Sequence, residues 1–310
     1  MSEFLPRFVR LVHEGSVSIP FSVGGCSQHG PHAAEDQNNQ DAMSLDIDAA
    51  AMIGVVCDGC SSASDLGENR VSYAETGAQI LSALMVRHIR ELLQQDAGMP
   101  VEKLAGQAGE LCLEDIWRIL GILCGKDAQL KEHFLREFFM ATILVAVITP
   151  VRWFVLHCGD GCVAVNGEFF NLNEAYSGEY LANGLSSDNV FSSPPELHLF
   201  RQGDIADLKS LVIASDGMQE IHEKSGELLE NMLSSGWDKR KSPYTPGFDR
   251  DFLREFRVRV AFPWEDAGLS SPAHDDRTLI MFRRLPDMAT ASRRSLNNDR
   301  YGSNNQGLIS

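Results

Sequence analysis

The chain has 310 residues, 44% of them hydrophobic, so it can bury a large core in one big domain or two small ones. Its 27 basic and 43 acidic residues leave a formal net charge of −16, which argues against nucleic acid or an anionic membrane surface as a partner. No uninterrupted apolar segment approaches the roughly 20 residues of a membrane-spanning helix, and residues 1–10 lack a signal-peptide pattern, so we expect a cytoplasmic protein.

The N-terminal part of the chain is predicted to form strands. Residues 1–15 are expected to be a poorly packed lead-in, and the polar loop after the first strand holds His29 and leads to Asp41. Apolar, β-branched runs predict strands at 17–23, 42–47 and 49–57. The second and third of these are adjacent in sequence and indicate a hairpin.

Two helical regions are predicted in the middle of the chain. From Val71 to Leu92, apolar residues recur at alternating spacings of three and four, which predicts a long helix with one apolar face. Gly98-Met99-Pro100 ends this helix. A second helical region is predicted over residues 101–139, with a break at Gly125-Lys126-Asp127.

Strands return in the second half of the chain. Runs at 142–148, 153–158 and 162–165, the last followed by the hairpin signal Asn166-Gly167, predict an antiparallel meander. Residues 171–197 are rich in Ser, Asn and Pro and are expected to form a mobile surface excursion. The remaining predictions are a strand at 211–214, a helix at 218–233, a strand at 279–282 and a disordered tail at 286–310. Because strands come in antiparallel groups and helices in a block, the fold class is α+β.

Several apolar runs end at acidic corners. Asp58-Gly59 follows the buried run that begins at Met52, and the other corners are Asp41, Asp216 and the pair Asp275-Asp276. Each corner alone is an ordinary turn, whereas four carboxylates at strand edges are also how metal sites are built. Their oxygens, with the Gly59 carbonyl, suit a hard cation such as Mg²⁺ or Mn²⁺.

Seven cysteines are an odd number, and in the cytosol they should be reduced. Cys57-x2-Cys60 and Cys158-x3-Cys162 could in principle supply four thiolates to zinc. Cys57 and Cys158 end apolar runs, however, so we favour a packing role, in which free cysteine behaves as a small buried hydrophobe.

These corners lie in four of six short motifs, which appear in this order: N-Q-D-A at 39–42, V-C-D-G-C at 56–60, A-T-I-L-V-A-V at 141–147, C-G-D-G at 158–161, I-A-S-D-G-M at 213–218 and D-D-R-T at 275–278. Together they resemble the protein phosphatase 2C family of metal-dependent serine/threonine phosphatases, over about residues 20–285. The resemblance implies a four-layer α/β/β/α sandwich of two antiparallel sheets flanked by helices, in one domain over residues 16–285, with its variable flap at 171–197.

The resemblance also implies site residues and cofactors. Two divalent ions, Mn²⁺ or Mg²⁺, would activate a bridging water as the nucleophile on a phosphorylated protein substrate. Asp58 would bridge the ions and the Gly59 carbonyl would help hold the first. Asp216 and Asp275 would hold the second ion, Asp41 would bind it or orient its waters, and Asp160 matches a third, weaker site of bacterial members. Asp58 and Asp41 are therefore the catalytic candidates, in a protein expected to be a monomer.

Three positions depart from the family pattern. Cys60, Ser61 and Ser62 stand where the family usually has His and Gly, and Asp276 stands where it usually has Asn. Many members have a substrate-binding arginine five residues before the first-motif Asp, and here that residue is Asp36. His29 could face the phosphate in its place, or it is a solvated loop histidine.

Three functions follow from these observations. The first is a phosphoserine and phosphothreonine phosphatase that acts on proteins. The second is a pseudophosphatase that keeps the fold and binds a partner protein; the missing arginine favours it, and the intact set of mutually repelling carboxylates opposes it. The third is a metal-dependent hydrolase of a small phosphorylated metabolite.

Overall fold

Two antiparallel sheets form the centre of the molecule, as seen in a computed structural model that describes residues 2–11, 19–28, 39–60, 73–172, 178–185, 196–219, 222–223 and 276–285. The six-stranded sheet consists, in spatial order, of β1 (Ser2–Leu11), β2 (Ile19–Gln28), β11 (Arg277–Arg284), β10 (Ser210–Ala214), β7 (Cys162–Val165) and β8 (Glu168–Asn171). The five-stranded sheet consists of β3 (Asp41–Ile47), β4 (Met52–Gly59), β5 (Ala141–Ile148), β6 (Arg152–Cys158) and β9 (His198–Asp204).

Three helices lie on the outer face of the five-stranded sheet. They are α1 (Ala74–Gln95), α2 (Val101–Cys124) and α3 (Ala128–Phe138). The apolar face of α1, including Leu81, Met85 and Ile89, is fully buried against β3 and β4. The Asp127 carboxylate caps α3 by accepting a hydrogen bond of 3.0 Å from the Leu130 amide. None of the helices in the described part of the chain is long and apolar enough to cross a bilayer.

A second apolar layer fills the space between the two sheets. Alternate residues of each strand enter it, because successive side chains of a strand point to opposite faces. Val56 and Leu144 contribute from the five-stranded sheet, and Ile213 and Phe282 from the other. At Gly54 the sheets approach so closely that an added Cβ would lie 2.7 Å from the ring of Phe282. The acidic corners at Asp41 and Asp58 lie at one end of this layer.

The structure confirms the predicted fold class and most of its local elements. Two antiparallel sheets with helices are present, the β3–β4 hairpin forms, and α1 covers most of the predicted 71–92 segment. The second helical region is divided at Gly125, as predicted, where φ is 60°. Of the helix predicted over 218–233, the described residues at 218–219 and 222–223 are helical.

Three expectations are wrong within the described residues, and one strand was not predicted. The lead-in at 1–15 contains β1, which pairs with β2 and ends at the fully buried Leu11. The meander breaks after β6, because β7 crosses to the other sheet and pairs with β10. Leu181 and Ala182, inside the supposed surface excursion, are buried under α2. The strand β9 had no prediction at all.

Candidate functional site

Three polar side chains occupy one row at the end of the five-stranded sheet. Asp41 of β3 lies directly opposite Asp58 of β4, and Asp58 lies directly opposite Thr142 of β5. Directly opposed residues project from the same face of a sheet. Asp41 lies two residues from Met43, and Asp58 lies two residues from Val56. Because Met43 and Val56 both pack between the sheets, the row of polar side chains faces the same space. The apolar layer therefore ends in two carboxylates and a hydroxyl.

The six-stranded sheet supplies hydroxyl groups at the same end. Ser215, directly after β10, donates a hydrogen bond of 2.7 Å from Oγ to Oδ2 of Asp41, across the gap between the sheets. The Ser215 Oγ also accepts from the Thr278 amide at 2.9 Å, and the Thr278 hydroxyl donates to Ser27 at 2.6 Å. Asn39 closes the ring, because its amide donates to Ser27 at 2.7 Å and its Oδ1 accepts from the Asp41 backbone at 3.0 Å. Asp41 is thus held by groups from both sheets.

The turn after β10 carries Asp216 to this end of the sandwich. Ser215 and Thr278 are paired through the backbone at 2.9 Å, and at Gly217 an added Cβ would overlap the carbonyl of Asp276. Asp276 in turn accepts a hydrogen bond of 2.6 Å from the backbone amide of Gln40. The chain segments that carry Asp41, Asp216 and Asp276 therefore contact one another directly, although they are far apart in sequence.

Two glycine corners allow close approach of the backbone. At Gly59, a Cβ would lie 2.8 Å from the Gln40 carbonyl oxygen and 2.9 Å from the Ala74 carbonyl oxygen, so only glycine fits there. Asp160 lies between Gly159 and Gly161, whose φ angles are 86° and 131°. These left-handed conformations turn the chain out of β6 and into β7 in the other sheet.

The carboxylates perturb one another and their neighbours. Burial raises the pKa of Asp41 to about 7, and the charges of Asp276 and Asp216 act in the same direction. The hydrogen bond from Ser215 and the nearby Thr278 side chain oppose this shift because they stabilise the ionised form. Burial also raises the pKa of the Cys162 thiol, with further contributions from Asp216 and Asp160, so both of these carboxylates lie near β7.

The chemistry of this donor set fits a divalent cation. Oδ1 of Asp41 is buried and has no hydrogen-bond partner among the described residues, and the neighbouring carboxylates repel one another without a counter-charge. The described residues nevertheless include no group of three or more His, Cys, Asp or Glu side chains arranged to hold a metal ion. A metal centre at this position therefore needs further ligands, or a rearrangement of the side chains that the structure describes.

The predicted site residues divide into three groups. Asp41 and Asp58 lie side by side, with Gly59 next to them. Asp216 and Asp160 lie on the turns that bound the same end of the sandwich. Asp275 and His29 lie outside the described residues, so their roles remain predictions. Of the four cysteines weighed as zinc ligands, Cys57, Cys158 and Cys162 are buried, as a packing role requires, and Cys60 is exposed.

The sequence analysis missed the polar partners of the carboxylates. In β10, Leu211 and Ile213 point between the sheets, and Ser215 follows at the same spacing of two residues. In β5, Thr142 stands in the same relation to Leu144 and Ala146. The alternation of side chains along a strand would therefore have placed both hydroxyl groups between the sheets. Tyr180 was also missed. Burial raises the pKa of its phenol, and Cys60, Asp160 and Asp58 act in the same direction, but it follows a long polar stretch in which no sequence pattern indicated this environment.

Comparisons with known proteins agree with this architecture. The family model of protein phosphatase 2C matches residues 30–254 of the chain. A crystal structure of the serine/threonine phosphatase Stp1 from Staphylococcus aureus is similar over 86% of this chain and 94% of that one, at 11% identity and a TM-score of 0.52. A crystal structure of a bacterial serine phosphatase is similar over 86% of this chain and 98% of that one, at 11% identity and a TM-score of 0.53.

At this identity the two crystal structures establish the fold alone. No curated protein matches the chain. The family model, however, spans well over half of the chain and includes four of its acidic corners, at Asp41, Asp58, Asp160 and Asp216. The chain belongs to the protein phosphatase 2C family.

Proposed function

We propose that the protein is a metal-dependent protein serine/threonine phosphatase. The observation that carries this proposal is the opposition of Asp41 and Asp58 in one sheet, joined through Ser215 to the Asp216 turn of the other. Carboxylates that approach from two sheets and repel one another give little to stability, whereas they suit hard cations. Membership of the protein phosphatase 2C family supports this interpretation of the carboxylates.

In the proposed site, Asp58 and the Gly59 carbonyl would hold one Mn²⁺ or Mg²⁺ ion, and Asp58, Asp216 and Asp275 would hold a second. Asp41 would bind the second ion or orient its waters, and Asp160 would belong to a third, weaker position. When bound, such ions supply a water of lowered pKa and positive charge that balances the phosphoryl group. The chain supplies the fixed positions of the ligands: Ser215 and Asn39 orient Asp41, and strand pairing orients Asp58.

The substrate in this proposal is a protein that carries phosphoserine or phosphothreonine. A noncatalytic partner-binding protein of the same fold is the second candidate, because the described residues do not by themselves assemble a three-ligand metal group. A hydrolase of small phosphorylated metabolites is the third. Turnover separates the second candidate from the other two, and comparison of phosphopeptides with phosphorylated metabolites separates the first from the third.

The test measures hydrolysis of p-nitrophenyl phosphate and Mn²⁺ binding by calorimetry in the same preparations. We expect wild-type turnover in Mn²⁺, none in EDTA, and a large loss in Asp58→Asn and Asp216→Asn. Asp207→Asn, on an exposed turn, is the matched control and should keep full activity. Mn²⁺ binding without turnover would support the noncatalytic candidate. If Asp58→Asn changed neither binding nor turnover, the site would be assigned to the wrong residues.

A further inference from the structure

Two buried hydroxyl groups, those of Ser22 and Thr142, form no hydrogen bond with the described residues. The other buried serine and threonine side chains of this part of the chain all have hydrogen-bond partners. Ser22 lies opposite Arg283, near the end of β11 that is remote from Asp276, whereas Thr142 lies directly opposite Asp58. A buried hydroxyl without a partner costs free energy. Thr142 therefore has this cost at the position where the acidic site begins.

The side chain of Thr142 is fixed from two sides. Strand pairing places it in the same row as Asp41 and Asp58, at one end of the space between the sheets. Its methyl group packs against Gly159, where an added Cβ would lie 2.9 Å from Cγ2 and 3.0 Å from Cβ of Thr142. Only 6% of Thr142 is exposed and its Oγ1 is buried, so bulk water does not supply the missing partner.

The carboxylate of Asp58 is the acceptor within reach of the Thr142 hydroxyl. Directly opposed residues of an antiparallel pair have Cβ atoms about 4.5–5.5 Å apart, a separation that a hydrogen bond between their side chains can span. Asp58 is half-buried, so its carboxylate has room to turn. A carboxylate that binds cations still has lone pairs that can accept a hydrogen bond from a hydroxyl.

We propose that Thr142 is a positioning residue for the metal ions, donating a hydrogen bond to the Asp58 carboxylate when that carboxylate turns to bind them. In the metal-free protein the hydroxyl lacks a partner, and cation binding supplies one. Hydrogen bonds to ligating carboxylates fix their orientation, and their loss typically weakens metal binding by about 10–100-fold. This inference rests on the proposed metal-dependent phosphatase function.

The test compares Thr142→Val with wild type, by calorimetry of Mn²⁺ binding and by urea denaturation in EDTA. Valine keeps the shape of threonine and replaces the hydroxyl with a methyl group. We expect the dissociation constant of Mn²⁺ to rise at least about tenfold. In EDTA, the urea midpoint should stay equal or rise, because a buried polar group without a partner is removed. Unimpaired folding with weaker Mn²⁺ binding is a combination that a merely structural residue does not give.

Thr142→Ser tests whether the hydroxyl itself is responsible. Serine keeps the hydroxyl and removes the methyl group that packs against Gly159. We expect this variant to keep the wild-type affinity for Mn²⁺, even if its urea midpoint falls. If Thr142→Ser and Thr142→Val weakened Mn²⁺ binding equally, the packing of the methyl group would be the cause and the inference would be overturned.

Thr149→Val is the matched control at the other end of β5. Thr149 is also 6% exposed, but its hydroxyl donates to the Arg152 carbonyl at 2.9 Å and accepts from the Arg152 amide at 3.1 Å. We expect Thr149→Val to lower the urea midpoint, because these hydrogen bonds are lost, and to leave the affinity for Mn²⁺ unchanged.

Two results for Thr142→Val would overturn the inference. An unchanged affinity for Mn²⁺ would show that the hydroxyl does not act on the metal centre. A urea midpoint in EDTA that falls as far as that of Thr149→Val would show that the hydroxyl is already bonded in the metal-free protein.

Failure of the phosphatase proposal would be distinguishable from failure of this inference. If wild type binds Mn²⁺ but does not hydrolyse p-nitrophenyl phosphate, the phosphatase proposal fails, and weaker Mn²⁺ binding by Thr142→Val still supports the role of Thr142. If wild type hydrolyses the substrate and Thr142→Val binds Mn²⁺ normally, only the present inference fails. A wild-type protein that binds no Mn²⁺ would contradict both.

Discussion

Asp41 lies directly opposite Asp58 across the β3–β4 pair, so two carboxylates project side by side from one face of the sheet. Like charges in directly opposed positions destabilise a sheet. The structure reduces this repulsion in the absence of metal, because burial raises the pKa of Asp41 to about 7. Near neutral pH, Asp41 of the metal-free protein is therefore protonated in a large fraction of molecules.

The first prediction concerns the pH dependence of stability in Asp41→Asn. In EDTA, the folded wild type keeps a proton on Asp41 between its ordinary pKa of 3.8 and about 7, where the unfolded chain has lost it. Unfolding of wild type therefore becomes easier as pH rises through this window, and Asn avoids the loss. The free energy of unfolding of the variant, relative to wild type, should rise between about pH 4 and pH 7 by at most about 4 kcal/mol.

Urea denaturation of Asp41→Asn and of wild type at several pH values measures the difference between their free energies of unfolding. Asp207→Asn, which changes an exposed carboxylate, is the control, and its free energy of unfolding should differ from that of wild type by the same small amount throughout this pH window. A flat difference for Asp41→Asn as well would mean that Asp41 is ionised in the folded metal-free protein.

The second prediction concerns the hydrogen bond between the sheets. Ser215→Ala removes the donor to Asp41 and leaves the Thr278 amide without its side-chain acceptor. We expect a loss of about 1–3 kcal/mol in the free energy of unfolding, since buried polar groups would lose their partners. Ser210→Ala, in the same stretch, is the control, because among the described residues the backbone of Ser210, rather than its hydroxyl, forms the hydrogen bonds to Asn166. Equal losses in the two variants would argue against a special role for the bridge.

The third prediction contrasts two helical glycines. A Cβ at Gly77 in α1 would overlap the backbone of Phe138 at the end of α3, so Gly77→Ala should force the helices apart and destabilise the protein by more than about 2 kcal/mol. A Cβ at Gly106 in α2 meets no atom of the described residues within 4 Å, so Gly106→Ala should stabilise the protein by about 0.5–1 kcal/mol through helix propensity. Thermal and urea unfolding measure both. A Gly77→Ala variant that is as stable as wild type, or more stable, would show that the α1–α3 contact is not close.

The fourth prediction concerns the attachment of α1 to the hairpin that carries Asp41 and Asp58. The Arg90 guanidinium contacts Asp46 at 2.6 Å and Asp48 at 2.8 Å, and it donates to the Ala51 carbonyl at 3.0 Å. Arg90→Met should cost about 2–3 kcal/mol, because the buried carbonyl loses its donor and two carboxylates lose their cation.

Arg118→Met is the control for Arg90→Met. The Arg118 side chain is 69% exposed, against 10% for Arg90, and its ion pairs should contribute less than about 0.5 kcal/mol. A similar cost for the two substitutions, measured by urea denaturation, would contradict the buried role of Arg90.

The sequence predicts the elements that depend on the local spacing of apolar residues. The spacing of apolar residues was sufficient for α1 and for the break at Gly125, and alternation was sufficient for the β3–β4 hairpin. Strand β7 was assigned to the wrong sheet because its partner, β10, lies about fifty residues away, and pairing at that distance leaves no local signal.

The site shows the same division between local and long-range information. The acidic corners are visible in sequence because each carboxylate ends an apolar run. Their partners are not, because the Ser215–Asp41 bond joins residues that only the packing of two sheets brings together. Tyr180 is harder still to predict, since its position depends on the fit of Glu179 against Gly159 rather than on any repeating pattern.

The short crossing at Gly159-Asp160-Gly161 limits how the molecule can move. Three residues carry the chain from one sheet to the other, and at Gly161 a Cβ would lie 2.5 Å from Leu144 and 2.9 Å from the Ala214 carbonyl oxygen. A connection this short cannot lengthen, so the two sheets cannot separate at this end unless strand pairing breaks. In the proposed function, a phosphoprotein substrate would therefore bind at the outer rim of this end, without separation of the two sheets.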